Sequence, residues 1–248
     1  MDPNEKELYN SILIVVAVIA AIMIYFIISI IRQQRRYRLV TQQKIKAEIT
    51  TLENERRRIA ADLHDEVGPL LSAVKLQINN IDGQDELETE LIRKSSMHID
   101  DIIRKMREIS NDLLPNVLVR KGLVAAIQDF LGKLKNTSGL EIEFEHSEPI
   151  RFETSLEVNV YRIVQEITHN AIKHSGASHL SIRLLITPAM LRLATEDNGN
   201  GFNLEEVRKT KNGLGLLNLQ SRTDVMSGDF HCESENGKGT KYLFEIPL

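Results

Sequence analysis

The sequence predicts an α + α/β protein in three parts. An N-terminal membrane-spanning helix leads into a helical hairpin that pairs with a second copy as a four-helix bundle, and an α/β sandwich closes the chain. Three observations predict this. Residues 12–31 carry no charge. From Tyr37 to Leu114, apolar residues recur at spacings of three and four. From Leu140 onward, period-two stretches take turns with helical ones.

Composition narrows the function. With 42% hydrophobic and 27% charged residues, the 248-residue chain has the make-up of a folded protein with one core and accessory helices. A net charge of −4 gives no basic excess, so direct nucleic-acid binding is not expected. Cys232 is the only cysteine, which excludes an intramolecular disulfide.

Residues 1–10 read as a short polar tail. Residues 11–31 read as the membrane helix, because twenty uncharged residues as a helix reach about 30 Å, one bilayer core. Arg32, Arg35, Arg36 and Arg38 follow at once. The positive-inside rule then places the tail outside and everything after residue 31 in the cytoplasm, as a single-pass protein of the inner (cytoplasmic) membrane. No basic region precedes the apolar stretch and no small-residue cleavage site follows it, unlike a signal peptide.

A long helix follows from Tyr37 to Ile81, coiled-coil-like over a linker at 32–54. Its seam is Ile45, Ile49, Leu52, Ile59, Leu63, Leu70 and Val74, with Arg56 and Glu66 interrupting. His64 stands one place after a seam residue, on the flank, among the neighbours Ala60, Ala61, Val67 and Gly68, read as small. Asp65 follows it, and a carboxylate beside an imidazole can fix the tautomer and stabilise the charged ring. A solvated histidine on a charged helix is the plainer reading of this stretch alone. Pro69 lacks a backbone donor and should loosen the helix about one turn past His64, leaving the Asp65 carbonyl without its partner. Residues 82–86 make a turn, and 87–114 a second helix with Leu91, Ile99, Ile103 and Met106 on its stripe. A lone hairpin cannot bury both stripes, hence the expected dimer.

Leu114-Pro115 ends that helix. A helix over 121–136, a strand at 140–146, a helix at 154–174, strands at 179–186 and 190–196, a loop-like 198–213, a helix at 214–226 and strands at 229–234 and 240–246 complete the reading. They predict one mixed sheet with helices on one face.

Four segments there suit a ligand. Glu166, Asn170, Lys173 and His174 form a polar ridge on the 154–174 helix, with oxygen ligands for Mg²⁺ and a cation for phosphate. A polar ridge is also simply the wet side of a helix. E-D-N-G-N-G-F at 196–202 ends a strand in a carboxylate that can accept from an adenine amino group, although D-N-G-N-G is equally a good turn. N-G-L-G-L-L-N-L at 212–219 opens a helix with backbone donors for phosphate. N-G-K-G-T at 236–240 reads as a turn before the last strand.

Together, E-R-x-R-I-A-x-D-L-H-D, Y-R-I-V-Q-E-x-x-x-N-A-x-K-H, D-N-G-x-G-F, G-L-G-L-x-N and G-x-G-T, in this order over residues 50–248, resemble a sensor histidine kinase of two-component systems. The subfamily is the one with a short dimerisation hairpin that pairs with LuxR-type (NarL-like) response regulators. The resemblance implies a dimeric four-helix-bundle phosphoacceptor hairpin at 55–118. It implies a Bergerat-type (GHKL) ATP-binding sandwich at 119–248, with ATP and Mg²⁺ as cofactors. Its partner would be a response regulator with a helix-turn-helix output domain. By match, His64 is the phosphoacceptor, Asp65 its assisting acid, Asn170 the Mg²⁺ ligand and Glu166 the neighbouring acid. Lys173 and His174 match phosphate-side positions. Asp197 matches the adenine reader with Gly199 and Gly201 beside it. Gly213 and Gly215 close the ATP lid at 198–213, and Thr240 matches the threonine near adenine. One position departs: five residues after His64, relatives that dephosphorylate their regulator often carry Gln, and here stands Pro69, which has no side-chain amide.

Two other readings use some of these motifs. One is a non-catalytic ATP-binding membrane scaffold, which His64, Asn170 and Asp197, all in place, argue against. The other is a conformational ATPase of the gyrase or Hsp90 type, which has no use for the hairpin.

Overall fold

The computed structural model describes residues 3–135, 139–209 and 214–248. The chain divides into two compact units, residues 1–47 and 48–248. In the first unit the backbone is one helix, the opening part of α1 (Pro3–Asp62). It is long and apolar enough to cross a membrane by length and composition. Among its described side chains, Ile22, Phe26 and Ile30 are each at least 50% exposed. Helical backbone satisfies its own polar groups, so such a surface costs nothing in lipid and much in water.

In the second unit, α1 continues to Asp62 and is followed by a π turn, Leu63–Val67, and by α2 (Gly68–Asn79). The Gly68 N–H reaches back five residues to the Leu63 carbonyl. The sequence predicts loosening one turn past His64; the loosening instead encloses His64. The reason is Pro69. Its ring crowds the carbonyl four residues earlier, and widening the preceding turn relieves that clash.

α3 (Glu86–Leu113) runs back along α2. Asp85 caps it, accepting from the Glu88 N–H at 2.7 Å, while Glu88 accepts from the Gln84 N–H at 2.8 Å. Ile99, Met106 and Ser110 are buried, and Ser110 Oγ donates to the Ala60 carbonyl. The opposite edge stays open, with Leu52, Leu70, Val74, Ile102 and Ile109 all exposed.

Beyond Pro115 come α4 (Asn116–Lys121), where the sequence predicts no element, and α5 (Leu123–Lys135), the helix predicted over 121–136. Residue 136 of that prediction lies outside the described residues. Leu118 is fully buried with Leu123 and Ile127 in the core of the sandwich, so α4 packs with the sandwich rather than with the hairpin before it.

The sheet contains β1 (Glu141–His146), β2 (His179–Ile186), β3 (Met190–Asp197), β4 (Asp229–Ser234) and β5 (Thr240–Pro247), ordered β1-β2-β3-β5-β4. Only the β1–β2 pair is parallel. α5, α6 (Thr154–Asn170) and α8 (Leu214–Val225) cover one face. Leu180, Ile182, Leu184, Leu193, Phe244 and Ile246 point to that side and are buried, the strict alternation of a half-buried sheet. On the other face, cross-strand ion pairs Arg192–Glu245 and Lys241–Glu196 line the wet surface. A π turn, Ala171–Ser175, extends α6, and a short α7 (Leu204–Lys209) lies inside the stretch predicted as loop. Asn203 starts α7 by accepting from the Glu206 N–H.

Candidate functional site

Two separate places hold the predicted site residues. The first is the π turn. His64, Asp65 and Glu66 are exposed there, beside the half-buried Leu63 and Gly68. A π turn adds a residue to the helical circuit and pushes its side chains outward, which suits a group that must be reached from outside. His64 is exposed on the hairpin, as its place one residue after the seam predicts.

The second is a cleft of about 440 Å³ between α6, the β3 end, α8 and the β4–β5 turn. That is the size of a small-ligand pocket. Glu166, Asn170, His174, Asp197, Gly201 and Thr240 line it, and Gly215 joins them from the start of α8. Glu166 and Asn170 sit one turn apart on α6, and the Asn170 amide donates to Glu166 Oε1 at 3.4 Å. That leaves the Asn170 carbonyl oxygen free of this bond.

Asp197 is buried at the end of β3. Burial raises its carboxyl above the usual carboxylate range, while the backbone N–H groups of Gly199 and Thr240 pull it down. The Gly199 N–H donates to Asp197 Oδ1 at 2.9 Å. The turn after Asp197 is bonded on every side. Asn198 Oδ1 accepts from the Ser178 and His179 N–H groups, Asn200 N–H donates to the Ser175 carbonyl, and Gly237 N–H donates to the Asn200 carbonyl. This segment is therefore a scaffolded turn as well as a ligand wall.

Comparison with known proteins agrees with this division. A family described as "Histidine kinase", HisKA_3, matches residues 55–118. A second, "Histidine kinase-, DNA gyrase B-, and HSP90-like ATPase", matches residues 155–248. The chain belongs to the histidine kinases of the HisKA_3 type. Its hairpin is the HisKA_3 element and its sandwich the GHKL-type ATP-binding fold. Homodimerisation and a response-regulator partner are general properties of that element. Among solved structures, the Acinetobacter baumannii histidine kinase AdeS is 18% identical with a TM-score of 0.43, covering 76% of this chain and 98% of that one. The blue-light activated histidine kinase EL346 of Erythrobacter litoralis is 15% identical with a TM-score of 0.46, covering 74% of this chain and 60% of that one. The mycobacterial sensor histidine kinase MprB is 20% identical with a TM-score of 0.40, covering 50% and 93%.

In this histidine kinase the fold brings most of the predicted ATP-side residues to one cleft. Gly199 stands behind the wall, bonded to Asp197. Lys173 is exposed and does not line the cleft. Gly213 lies outside the described residues. The sequence did not single out Tyr242, Ile167, Leu216 or Val207, which supply the apolar lining. Tyr242 was legible only as an inward position of β5, and nothing in the sequence says which inward positions end at a cavity.

Two glycines have no substitute here. Gly201 (φ 59°) and Gly239 (φ 76°) adopt left-handed backbone. A Cβ at Gly201 would collide with the Glu235 carbonyl oxygen, and one at Gly239 with the Asp197 carbonyl oxygen. Gly201→Ala is therefore expected to lower stability by about 2 kcal/mol or more, and to weaken nucleotide binding because the turn carries the Asp197 end of the cleft. Thermal unfolding with and without ATP checks it: an unchanged melting temperature would mean that the turn relaxes freely.

Proposed function

We propose that this chain is a membrane-anchored sensor kinase of the inner (cytoplasmic) membrane that autophosphorylates His64 from ATP and passes the phosphoryl group to an aspartate of a response regulator. The observation that carries it is the pairing of an exposed imidazole on the hairpin with a nucleotide-sized cleft on the sandwich. Residues 11–31 form the anchor and the hairpin forms the homodimer. The regulator partner is of the LuxR or NarL kind, with a helix-turn-helix output domain.

Asp197 accepts from the adenine amino group, and Thr240 and Gly201 close that end. Glu166, Asn170, Lys173, His174, Gly213 and Gly215 serve the phosphate end and the lid. The residues fit Mg²⁺: Asn170 and Glu166 offer hard oxygen atoms, and among the described residues no cluster of three or more His, Cys, Asp or Glu competes as a closed metal cage. Mg²⁺ typically takes one or two protein oxygens and completes its shell with phosphates and water. When bound, it neutralises charge on the phosphates. The chain's own contribution is positioning. One His64 nitrogen attacks the γ-phosphorus in line, ADP leaves, and Asp65 holds the proton on the other nitrogen. The aspartate of the regulator then takes the phosphoryl group from His64. Pro69 offers no amide to orient a water, so hydrolysis of the regulator's phosphate by that route is not part of this function.

The test is to incubate the whole chain, in detergent or nanodiscs, with γ-labelled ATP and Mg²⁺. Acid-labile, base-stable label on the protein is the expected result. Nucleotide binding without any label would favour the scaffold reading instead.

A further inference from the structure

Tyr242 brings a polar group to the cleft that the function above leaves unused. β3 and β5 pair in register, so their inward residues form rows on the sheet. Asp197 faces Thr240, and Thr195 faces Tyr242 one row further on. Tyr242 lines the cleft beside Asp197 and is 7% exposed. Its ring serves as apolar lining, with the Phe230 and Phe244 ring centroids 6.1 and 6.4 Å away. Packing against these two rings restricts where the tyrosine ring, and with it the hydroxyl, can lie.

The hydroxyl has no hydrogen-bond partner among the described residues. The polar neighbour in its own row supplies none: the Thr195 hydroxyl is buried and also unpartnered. A tyrosine hydroxyl in such a place usually finds a partner. Without a ligand only water can meet this one, so the protein side of the site is one bond short. Burial pushes the phenol above its usual range, and nearby Cys232, Asp197 and Glu166 push it the same way. The group therefore keeps its proton and acts as a donor. Asp197, one row away, is an acceptor. Adenine carries the complementary set: its amino group donates, and the ring nitrogens N1 and N7 on either side of that group accept.

We infer that the Tyr242 hydroxyl is a second reader of the base: with the adenine amino group on Asp197, it donates to one of the ring nitrogens, N1 or N7, that flank that amino group. This rests on the kinase reading given above, which puts adenine at Asp197. One hydrogen bond leaves the base free to pivot about it, and a second from the same wall removes that freedom. Tyr242 thus acts on affinity for the nucleotide. It has no part in the phosphoryl transfer itself, which takes place at the other end of the nucleotide.

The test titrates the whole chain, in detergent or nanodiscs, and its Tyr242→Phe variant with ADP, 1-deaza-ADP and 7-deaza-ADP. The diphosphates bind without labelling the protein, and phenylalanine keeps the ring packing while removing one oxygen. The variant is expected to bind ADP about three- to tenfold more weakly, the worth of one neutral hydrogen bond. One of the two deaza analogues should bind parent and variant equally, because acceptor and donor of the same bond have each been removed. The other should show the full loss. Labelling of His64 at saturating ATP should stay within about twofold of the parent, with the half-saturating ATP concentration raised. The unfolding temperature without nucleotide should not fall. Equal ADP affinities for parent and variant would overturn the inference. So would a loss of one size for all three diphosphates, which would assign the effect to packing, and so would an unfolding temperature several degrees lower, which would make the hydroxyl structural. A parent that binds ADP but forms no phosphohistidine sinks the kinase reading alone, and one that binds no ADP sinks both.

Discussion

Replacing His64 with glutamine is expected to reduce phosphohistidine formation to background while leaving nucleotide binding intact. The side chain is exposed on the π turn and lies outside the cleft. Its removal therefore costs the sandwich no packing. Surface substitutions away from special features usually stay within about 0.5 kcal/mol of the parent in stability. What is lost is the only nucleophile that the turn offers: Asp65 and Glu66 beside it are carboxylates, whose acyl phosphates would be labile to base rather than to acid alone. Measuring label after acid and after base treatment, for parent and variant in parallel, separates these. Acid-labile label persisting in the variant would mean that another histidine accepts the phosphate, and His98 on α3 would be the next residue to replace.

The second large effect is at Asp197. Asp197→Asn is expected to weaken ATP binding by about 10- to 100-fold, the worth of one hydrogen bond to a charged group in a buried site. One carboxylate oxygen is already engaged by the Gly199 N–H. The Thr240 N–H also reaches this carboxylate, and the proposed function adds the adenine amino group as a further donor to it. An amide there can present its NH₂ instead, donor against donor. Acidity adds a second signature. Burial raises the Asp197 carboxyl above its ordinary value, so its charge is lost earlier than that of an exposed aspartate as pH falls. The parent should then lose affinity on acidification at a higher pH than an ordinary aspartate would dictate, and the Asn variant should lack that component. Equal affinities in a calorimetric titration at neutral pH would remove Asp197 from the adenine contact. Asn170→Ala, by contrast, is expected to spare binding more than turnover, because the proposed function puts Asn170 at the phosphate end.

Much of this was legible from the chain. The uncharged run 12–31, the spacing of three and four through the hairpin, and the period-two strands each report a local geometry that side-chain chemistry alone imposes. The five motifs gave the family, and six residues they pointed to meet around one cleft with Gly215. The places where the sequence misled are local as well. A short helix, α4, formed before the predicted 121–136 helix in a stretch given no element, and another formed after Asn203 inside a stretch that reads as loop. Both depend on single capping contacts that the composition of a window averages away.

The sequence by itself determined most of the helices, the strands, and the wet and dry faces, because those depend on neighbours a few residues apart. Only the tertiary structure decided three things. It put the helical widening around His64 rather than beyond it, because the whole turn before Pro69 absorbs the ring's clash. It chose Tyr242 and Leu216 as cleft lining from among many equivalent inward positions. And it turned Glu53, one more charge on a charged helix, into a buried anchor for Arg162 and Arg222, since the meaning of a charge is set by the partners and the solvent around it, and these arrive from more than a hundred residues away.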